Sequence, residues 1–551
     1  MVTVGLYGIR DTTHGTAPTY THDHGLAVMR QGRVETVMAL ERWTQRKHDN
    51  RLGQYLHELL EAVGIGDEPV RFVSVNAFVG DGFQTLDGNF RLEPTAAVGI
   101  DARPVPARVR WYPDGLRPRT ATGWALCHEF AHIASLLPFV GRFEPQSLLA
   151  HIDGGASDSA CSFWWWDGHE ARLLESSWER LKAPVNNFNV NPLVRAILGF
   201  GSHEHLSIPG KLMGYAGHGT PAPSLLAWLE EHRFFLEGPG DPAMLLDLVN
   251  RRFGTRWSSF DPHEELCRDL CATLQHHFEE SISAELLDWQ RRTGARHLYY
   301  AGGAALNIPT NARLEAAGVF QGVHVPPCTN DTGLALGAAA WVEFLERGEV
   351  GIHGPFLGRT GVGPGETPLD AVDTVAELLA AGSVIGVCNG AAEIGPRALG
   401  HRSILARPDR AELRRRVSET LKRREWYRPV APVLLREVAE QAFGPEVARS
   451  HLAPFMLGSW RLRPGWEARF SGVLHADGSL RAQVIREDDH EQTFLCALLT
   501  RLWRRHGIAG LINTSFNGPG EPIVHRPGDA LACAHRLGLD GVVIDGSLHR
   551  P

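Results

Sequence analysis

Leu148-Leu149-Ala150-His151-Ile152-Asp153-Gly154-Gly155-Ala156-Ser157-Asp158-Ser159 is an apolar run that breaks into a carboxylate and a glycine-rich turn. A short apolar segment bounded by turn residues reads as a strand. Asp153 stands at its end, where glycines let a ligand or metal approach the backbone and exposed amides can hold phosphate. The plain alternative is a Gly-rich hairpin. The pattern recurs: Leu298-Tyr299-Tyr300 leads into Ala301-Gly302-Gly303-Ala304-Ala305-Leu306-Asn307, and Phe72-Val73-Ser74-Val75 is a further apolar run before a polar turn. With helical segments between such runs, the reading is mixed α/β, a class that binds ligands beyond the carboxyl ends of its strands.

Upstream lies His128-Glu129-Phe130-Ala131-His132, two histidines four residues apart. On a helix both imidazoles share one face and can reach one metal ion. Trp124-Ala125-Leu126 before them and Ile133 to Leu137 after them are compatible with that helix, and Pro138 is expected to end it. The pentapeptide also spells the zinc-peptidase motif with Glu129 as general base. Its longer metzincin form is absent, because Ser135 and Pro138 stand where that form has glycine and histidine. A third strand-end element is Pro326-Pro327-Cys328-Thr329-Asn330-Asp331-Thr332-Gly333, where Asp331 precedes the helix-like Leu334 to Trp341 and has helix capping as its plain role.

Glycine and proline crowd residues 351–365, which reads as a linker. The division expected is residues 1–355, a linker at 356–370, and a second mixed α/β part at 371–551. Strand-like runs there are Ser383-Val384-Ile385-Gly386-Val387 and Gly507-Ile508-Ala509-Gly510-Leu511-Ile512, the second expected to end at the polar cluster Asn513-Thr514-Ser515-Phe516-Asn517. Between them stand Glu393-Ile394-Gly395-Pro396-Arg397-Ala398-Leu399-Gly400-His401-Arg402-Ser403 and Lys422-Arg423-Arg424-Glu425-Trp426-Tyr427-Arg428-Pro429. Cations among small turn residues suit phosphate or carboxylate binding; a solvated basic face is the bland alternative.

A net charge of -8 offers no general field for nucleic acid or an anionic membrane, and no apolar run approaches membrane-spanning length. Met1-Val2-Thr3-Val4-Gly5 opens in a strand-like pattern without a signal-peptide n-region, so the expectation is a cytoplasmic protein. The eight cysteines are scattered; Cys267 and Cys271 are close but lack a second pair for zinc, and all are expected to be reduced and mostly buried.

Taken in order, these segments resemble the O-carbamoyltransferase family that includes the nodulation-factor, cephamycin and nebramycin carbamoyltransferases. The resemblance also rests on His22-Asp23 with Gly25-Leu26-Ala27-Val28, on Glu41-Arg42-Trp43-Thr44 through Lys47-His48, and on Gly210-Lys211-Leu212-Met213-Gly214-Tyr215-Ala216. It implies an N-terminal actin/sugar-kinase-like ATPase domain joined to a YrdC-like domain that forms carbamoyl-adenylate. It implies further that His128, His132, Asp153 and Asp331 hold a divalent metal, iron foremost with magnesium as a further candidate ion, beside a nucleotide contacted by Gly154, Gly155, Lys211, Gly302, Gly303 and Asn307. Arg397, Lys422, Arg428, Arg481, Asn513 and Ser515 would bind carbamoyl phosphate and ATP, while His22, Asp23 and Lys47 would serve transfer to the acceptor. Two imidazoles with two carboxylates do suit a first-row divalent ion. His22 would orient or deprotonate an acceptor hydroxyl, and Asp23 could set its tautomer.

The expected activity is ATP-dependent carbamoyl transfer from carbamoyl phosphate to a hydroxyl of a secondary metabolite or sugar, with small molecules as partners. The oligomeric state stays open, a homodimer included. Two departures flank the acceptor side: the family's run of three glutamates is reduced to Ala39-Leu40-Glu41, and a polar insertion, Asp11 to Pro18, precedes His22. His203-Glu204-His205 reads as a polar loop. The competing readings are a zinc peptidase and a non-catalytic nucleotide-binding scaffold.

Overall fold

The computed structural model describes residues 1–8, 21–201, 206–237, 240–359 and 368–550. The insertion at 11–18, the His203 to His205 segment and much of the 356–370 linker lie outside the described residues.

Three larger sheets organise the chain. In the first, β1 (Val2–Tyr7), β2 (Gly25–Arg30) and β3 (Arg33–Ala39) form an antiparallel meander, and β4 (Val70–Val75) and β8 (Ala121–Leu126) continue parallel to β1. Strands β5 (Phe83–Gln84), β6 (Phe90–Pro94) and β7 (Val105–Trp111) extend it beyond β8. The second sheet repeats the plan: β9 (Ser147–Ile152), β10 (Cys161–Trp166) and β11 (Ala171–Ser177) form the meander, with β12 (His297–Ala301) and β13 (Gly322–His324) parallel to β9. This repeated order, third-second-first-fourth-fifth, is the duplicated layout of an actin/sugar-kinase-like ATPase fold. β1, β4 and β9 are buried along their whole length, which is why they read as predominantly apolar runs.

Two helices lie between these sheets, sharing one core with β4, β9 and β10. The Leu334–Arg347 helix packs on β1, β2 and β4, and the His128–Ala134 helix packs on it and on β9 and β12. They approach closely because Gly337 has no side chain: a Cβ there would stand 1.9 Å from the Ala131 carbonyl oxygen. We predict that Gly337→Ala forces the helices apart and costs about 1–3 kcal/mol, read as a lower urea midpoint. An unchanged midpoint would show that this packing is not stringent.

The third sheet runs Gln483–Ile485 (β19), Ala431–Leu435 (β16), Leu511–Ser515 (β20), Arg402–Ala406 (β15), Ile385–Cys388 (β14), Gly541–Ile544 (β21) and Ser547–His549 (β22); Trp460–Arg461 (β17) pairs with Ser479–Leu480 (β18) apart from it. The segments after 371 also meet the earlier ones. Tyr427, Leu452 and Leu457 join the core of the second sheet, and a Cβ on Gly395 would lie 2.1 Å from the Pro327 carbonyl oxygen.

Three local expectations are corrected. Trp124 to Leu126 are the end of β8, because pairing with β4 outweighs the helix-like appearance of three residues. Pro138 sits in the first turn of a further short helix, Leu137–Val140, where a missing amide hydrogen costs nothing. The strand expected to end before Asn513 continues through Ser515, held by pairing with β15, so Asn513 and Ser515 share one strand face. All eight cysteines are free and buried, and among the described residues no helix is long and apolar enough to cross a membrane.

Candidate functional site

Four predicted ligands from three separate stretches meet at the strand ends of the duplicated fold. The His128–Ala134 helix offers two imidazoles from one face, Asp153 follows β9, and Asp331 opens the turn before the Leu334 helix. His132 Nε2 lies 3.1 Å from His128 Nε2, 3.4 Å from Asp331 Oδ1 and 3.6 Å from Asp153 Oδ2. Two imidazoles and two carboxylates converging at such distances fit a divalent cation, and His128, His132 and Asp331 form a buried metal-competent set. Asp331 also accepts a 2.8 Å bond from the Tyr7 hydroxyl. Burial would raise its carboxyl, but His22 and the two metal-facing histidines hold it well below the usual range.

Glu129 turns elsewhere. Its Oε1 accepts from the amides of Asp158 at 2.8 Å and Ser159 at 3.0 Å, so it pins the loop after Asp153. The general base that a zinc peptidase requires is thereby committed to the fold.

Around Asp23 a second group gathers. His22 Nδ1 lies 3.1 Å from one carboxylate oxygen and His48 Nδ1 2.9 Å from the other, while His22 Nδ1 is also 3.9 Å from Asp331. Burial lowers the His22 pKa, yet Asp331 and Asp23 outweigh it and push the value up to about 9. The raised pKa favours the protonated form of His22, which suits an anionic neighbour; a cation on Asp331 would cancel part of that effect. Asp23 and His48 both occupy left-handed backbone, at φ 57° and 54°, an uncommon conformation for such residues that the surrounding contacts maintain. Lys47 pairs at 3.2 Å with Glu41, the remaining member of the reduced acidic run. Asp23, Lys47 and His48 line one side of a cavity whose other side is Glu393, Pro396 and His525.

Beyond Pro396 the basic residues come together. Lys422 donates to Ser515 Oγ at 2.9 Å and to Asn517 Oδ1 at 2.5 Å, and Arg424 donates to Thr514 Oγ1 at 3.1 Å. Burial followed by the charge of neighbouring arginines lowers Arg397 to about 10 and Arg424 to about 9, and displaces Lys422 and Arg481 well downward. The Nε atoms of Arg397 and Arg481 are buried without a partner, as is Asn513 Oδ1. Glu425, the acid nearest in sequence, pairs with Lys211 at 2.9 Å and approaches Arg428 at 3.7 Å. Repelling cations with unspent donors have the chemistry to hold an anion. Pyrophosphate at 100 times its Kd should therefore stabilise the chain by about 2.7 kcal/mol, seen as a higher Tm. Arg481→Ala should abolish most of that rise; a rise retained in the variant would place the anion elsewhere.

The glycine segments divide. Gly302 has φ 96° and touches the β9 backbone so closely that a Cβ would lie 2.2 Å from Ile152 O, and the Gly303 amide donates to Asp153 at 2.5 Å. Gly154 also donates to Asp153, and Gly155 lies under Trp178. Asn307 caps the helix Ile308–Ala316 and exchanges bonds of 3.1 and 3.2 Å with Gln275, so its amide is already occupied. Lys211 faces Glu425 and the Phe200 ring. Residues not singled out from sequence are Tyr7, His48, His151, Arg424 and Asn517. Available signals were the adjacency of His48 to Lys47 and the two-residue spacing of His151 from Asp153.

Fold and site together define an α/β protein with a cation-competent His/Asp cluster at its strand ends, a cluster of basic side chains in its later part, and a cavity lined by residues of both. The family description Carbamoyltransferase N-terminus matches residues 128–340, and Carbamoyltransferase C-terminus matches residues 376–550. Nodulation protein U of Rhizobium tropici is 30% identical over 565 residues, covering 93% of this chain and 92% of that protein. Nodulation protein NolNO of Sinorhizobium fredii is 29% identical over 571 residues, covering 99% and 81%. Among solved structures, the activator of the 2-hydroxyisocaproyl-CoA dehydratase from Clostridium difficile with bound ADPNP aligns with a TM-score of 0.31 and 13% identity, over 62% of this chain and 94% of that one. The chain belongs to the carbamoyltransferase family and is a carbamoyltransferase.

Proposed function

We propose that the protein is an ATP-dependent O-carbamoyltransferase working in two steps, with activation in residues 371–551, a YrdC-like unit, and transfer in residues 1–355. The observation that carries this reading is the cavity lined by Asp23, Lys47 and His48 on one side and by Glu393, Pro396 and His525 on the other, with Arg397 next in the chain after Pro396. Carbamoyl phosphate first loses phosphate to water, giving carbamate. A carbamate oxygen then attacks the α-phosphorus of ATP, and pyrophosphate leaves. Carbamate itself is a poor electrophile, whereas its mixed anhydride with AMP carries a stable leaving group. Arg397, Arg428, Arg481 and Lys422 would hold the phosphates and offset charge developing on transfer, with Ser515 and Asn513 as neutral partners.

In the second step the acceptor oxygen attacks the carbamoyl carbon and AMP departs. His22, oriented by Asp23, would orient the acceptor hydroxyl and would take its proton once a cation on Asp331 offsets the negative charge that raises the imidazole pKa; Lys47 would contact the transferred group. His128, His132, Asp153 and Asp331 would hold an iron-type divalent ion, which when bound polarises a phosphate or carbonyl oxygen. Gly154, Gly155, Gly302 and Gly303 would let the nucleotide approach the backbone closely, while the amides of Gly154, Gly302 and Gly303, like the side chains of Asn307 and Lys211, would contact it only by leaving their present partners. The acceptor is a hydroxyl of a secondary metabolite or sugar, and a cytoplasmic setting, where ATP and carbamoyl phosphate are at hand, completes the reading.

The test is pyrophosphate release from purified protein given ATP, carbamoyl phosphate and divalent metal. Release that needs both substrates supports adenylation; none from folded, metal-loaded protein with candidate acceptors present overturns it.

A further inference from the structure

β9 delivers more than Asp153 to the candidate metal site. His151 and Asp153 are two residues apart at the end of an extended segment, so their side chains leave the same face. That face lies against the His128–Ala134 helix, which presents its own pair at helical spacing. His151 has no exposed surface, and both of its ring nitrogens lack a hydrogen-bond partner. A buried imidazole left this way is destabilising unless a ligand satisfies it. Its ring lies 5.2 Å from that of His132 at an interplanar angle of 21°, and 6.5 Å from that of His128. One ligand atom each from His132, His151 and Asp153 falls within 4.8 Å of the others, and His132 also belongs to the set with His128 and Asp331.

We infer that His151 is a further ligand of the metal centre, making its donor set three imidazoles and two carboxylates. The inference rests on the reading of His128, His132, Asp153 and Asp331 as a metal site and adds a donor which that reading does not assign. A cation held beside His132 would supply what His151 lacks, an acceptor for the lone pair of its unspent nitrogen. Chemically, a third neutral nitrogen leaves the charge of the site unchanged and shifts its preference. Imidazole-rich sets favour iron, cobalt, nickel and zinc, whereas carboxylate and water suit magnesium and manganese. His151 therefore sets metal selectivity.

The experiment uses the metal-free full-length chain titrated with Co2+ and, separately, with Mg2+. His151→Phe keeps a ring stacked on His132 but removes both nitrogens. It should weaken Co2+ binding tenfold or more and shift the visible ligand-field bands, while Mg2+ affinity changes less than twofold. X-ray absorption of the Co2+-loaded wild-type chain should count three imidazoles, a result independent of whether the variant folds. Two imidazoles, or His151→Phe with wild-type Co2+ affinity and bands while His132→Gln loses Co2+, would overturn the inference and leave the metal site standing. Failure of the wild-type chain to hold Co2+ would remove both.

Discussion

His132→Ala should remove the bound divalent metal and reduce carbamoyl transfer to an acceptor by about a thousandfold or more, while carbamoyl phosphate-dependent pyrophosphate release stays within severalfold of wild type. The size follows from position. His132 is fully buried, and its Nε2 is the point nearest to His128, Asp331 and Asp153 at once. Removing it leaves the carboxylates of Asp331 and Asp153 with one imidazole fewer between them, so metal affinity falls together with the polarising effect. That effect is worth several kcal/mol, and each 1.36 kcal/mol is a factor of ten in rate. The two half-reactions are measured on the same preparation, by metal content, pyrophosphate release and acceptor carbamoylation. Parallel loss of pyrophosphate release would mean that one composite site serves both steps.

The converse substitution, Arg397→Ala, should lower pyrophosphate release by about a hundred- to a thousandfold, the loss expected when one preorganised donor is taken from a developing anion. Arg397 follows the Gly395 turn that is packed on Pro327, and its Nε is buried without a protein partner. A donor that the folded protein leaves unspent is available to a ligand. Arg397→Lys should restore little, because a lysine cannot reproduce a planar, two-pronged contact. The stability of the unliganded chain should be unchanged or raised, since burial and Arg428 already weigh against the charge at this position. A variant that folds and releases pyrophosphate at the wild-type rate would remove Arg397 from the activation site; a variant with a strongly lowered Tm would give the residue a structural role instead.

Local patterns carried well where a single element sufficed. β1, β4 and β9 were legible because strands buried along their length are mostly apolar, and the pair His128 and His132 was legible because helical spacing alone puts both on one face. Three-residue stretches were not: Trp124 to Leu126 took the conformation of the partner they pair with, and Asn513 to Ser515 were drawn into a strand by β15. The role of Glu129 shows the same limit. Its place in a peptidase-like pentapeptide says nothing about the amides of Asp158 and Ser159, which claim its carboxylate in space. Asn307 and Lys211 lie in family-like motifs yet spend their side chains on Gln275 and Glu425, partners far away along the chain.

The sequence by itself therefore determined the mixed α/β class, the shared helical face of His128 and His132 and the basic character of the later segments, because each depends on spacing or composition within a short stretch, and it carried the carbamoyltransferase resemblance through the order of many such stretches. Only the tertiary structure decided that the His128 helix, the end of β9 and the Asp331 turn meet, that His48 and His151 stand beside residues the sequence had singled out, and that the Asp23 group faces Pro396 across one cavity. Those outcomes depend on how a repeated sheet order and the close approach at Gly337 stack distant segments, and no local periodicity encodes that distance.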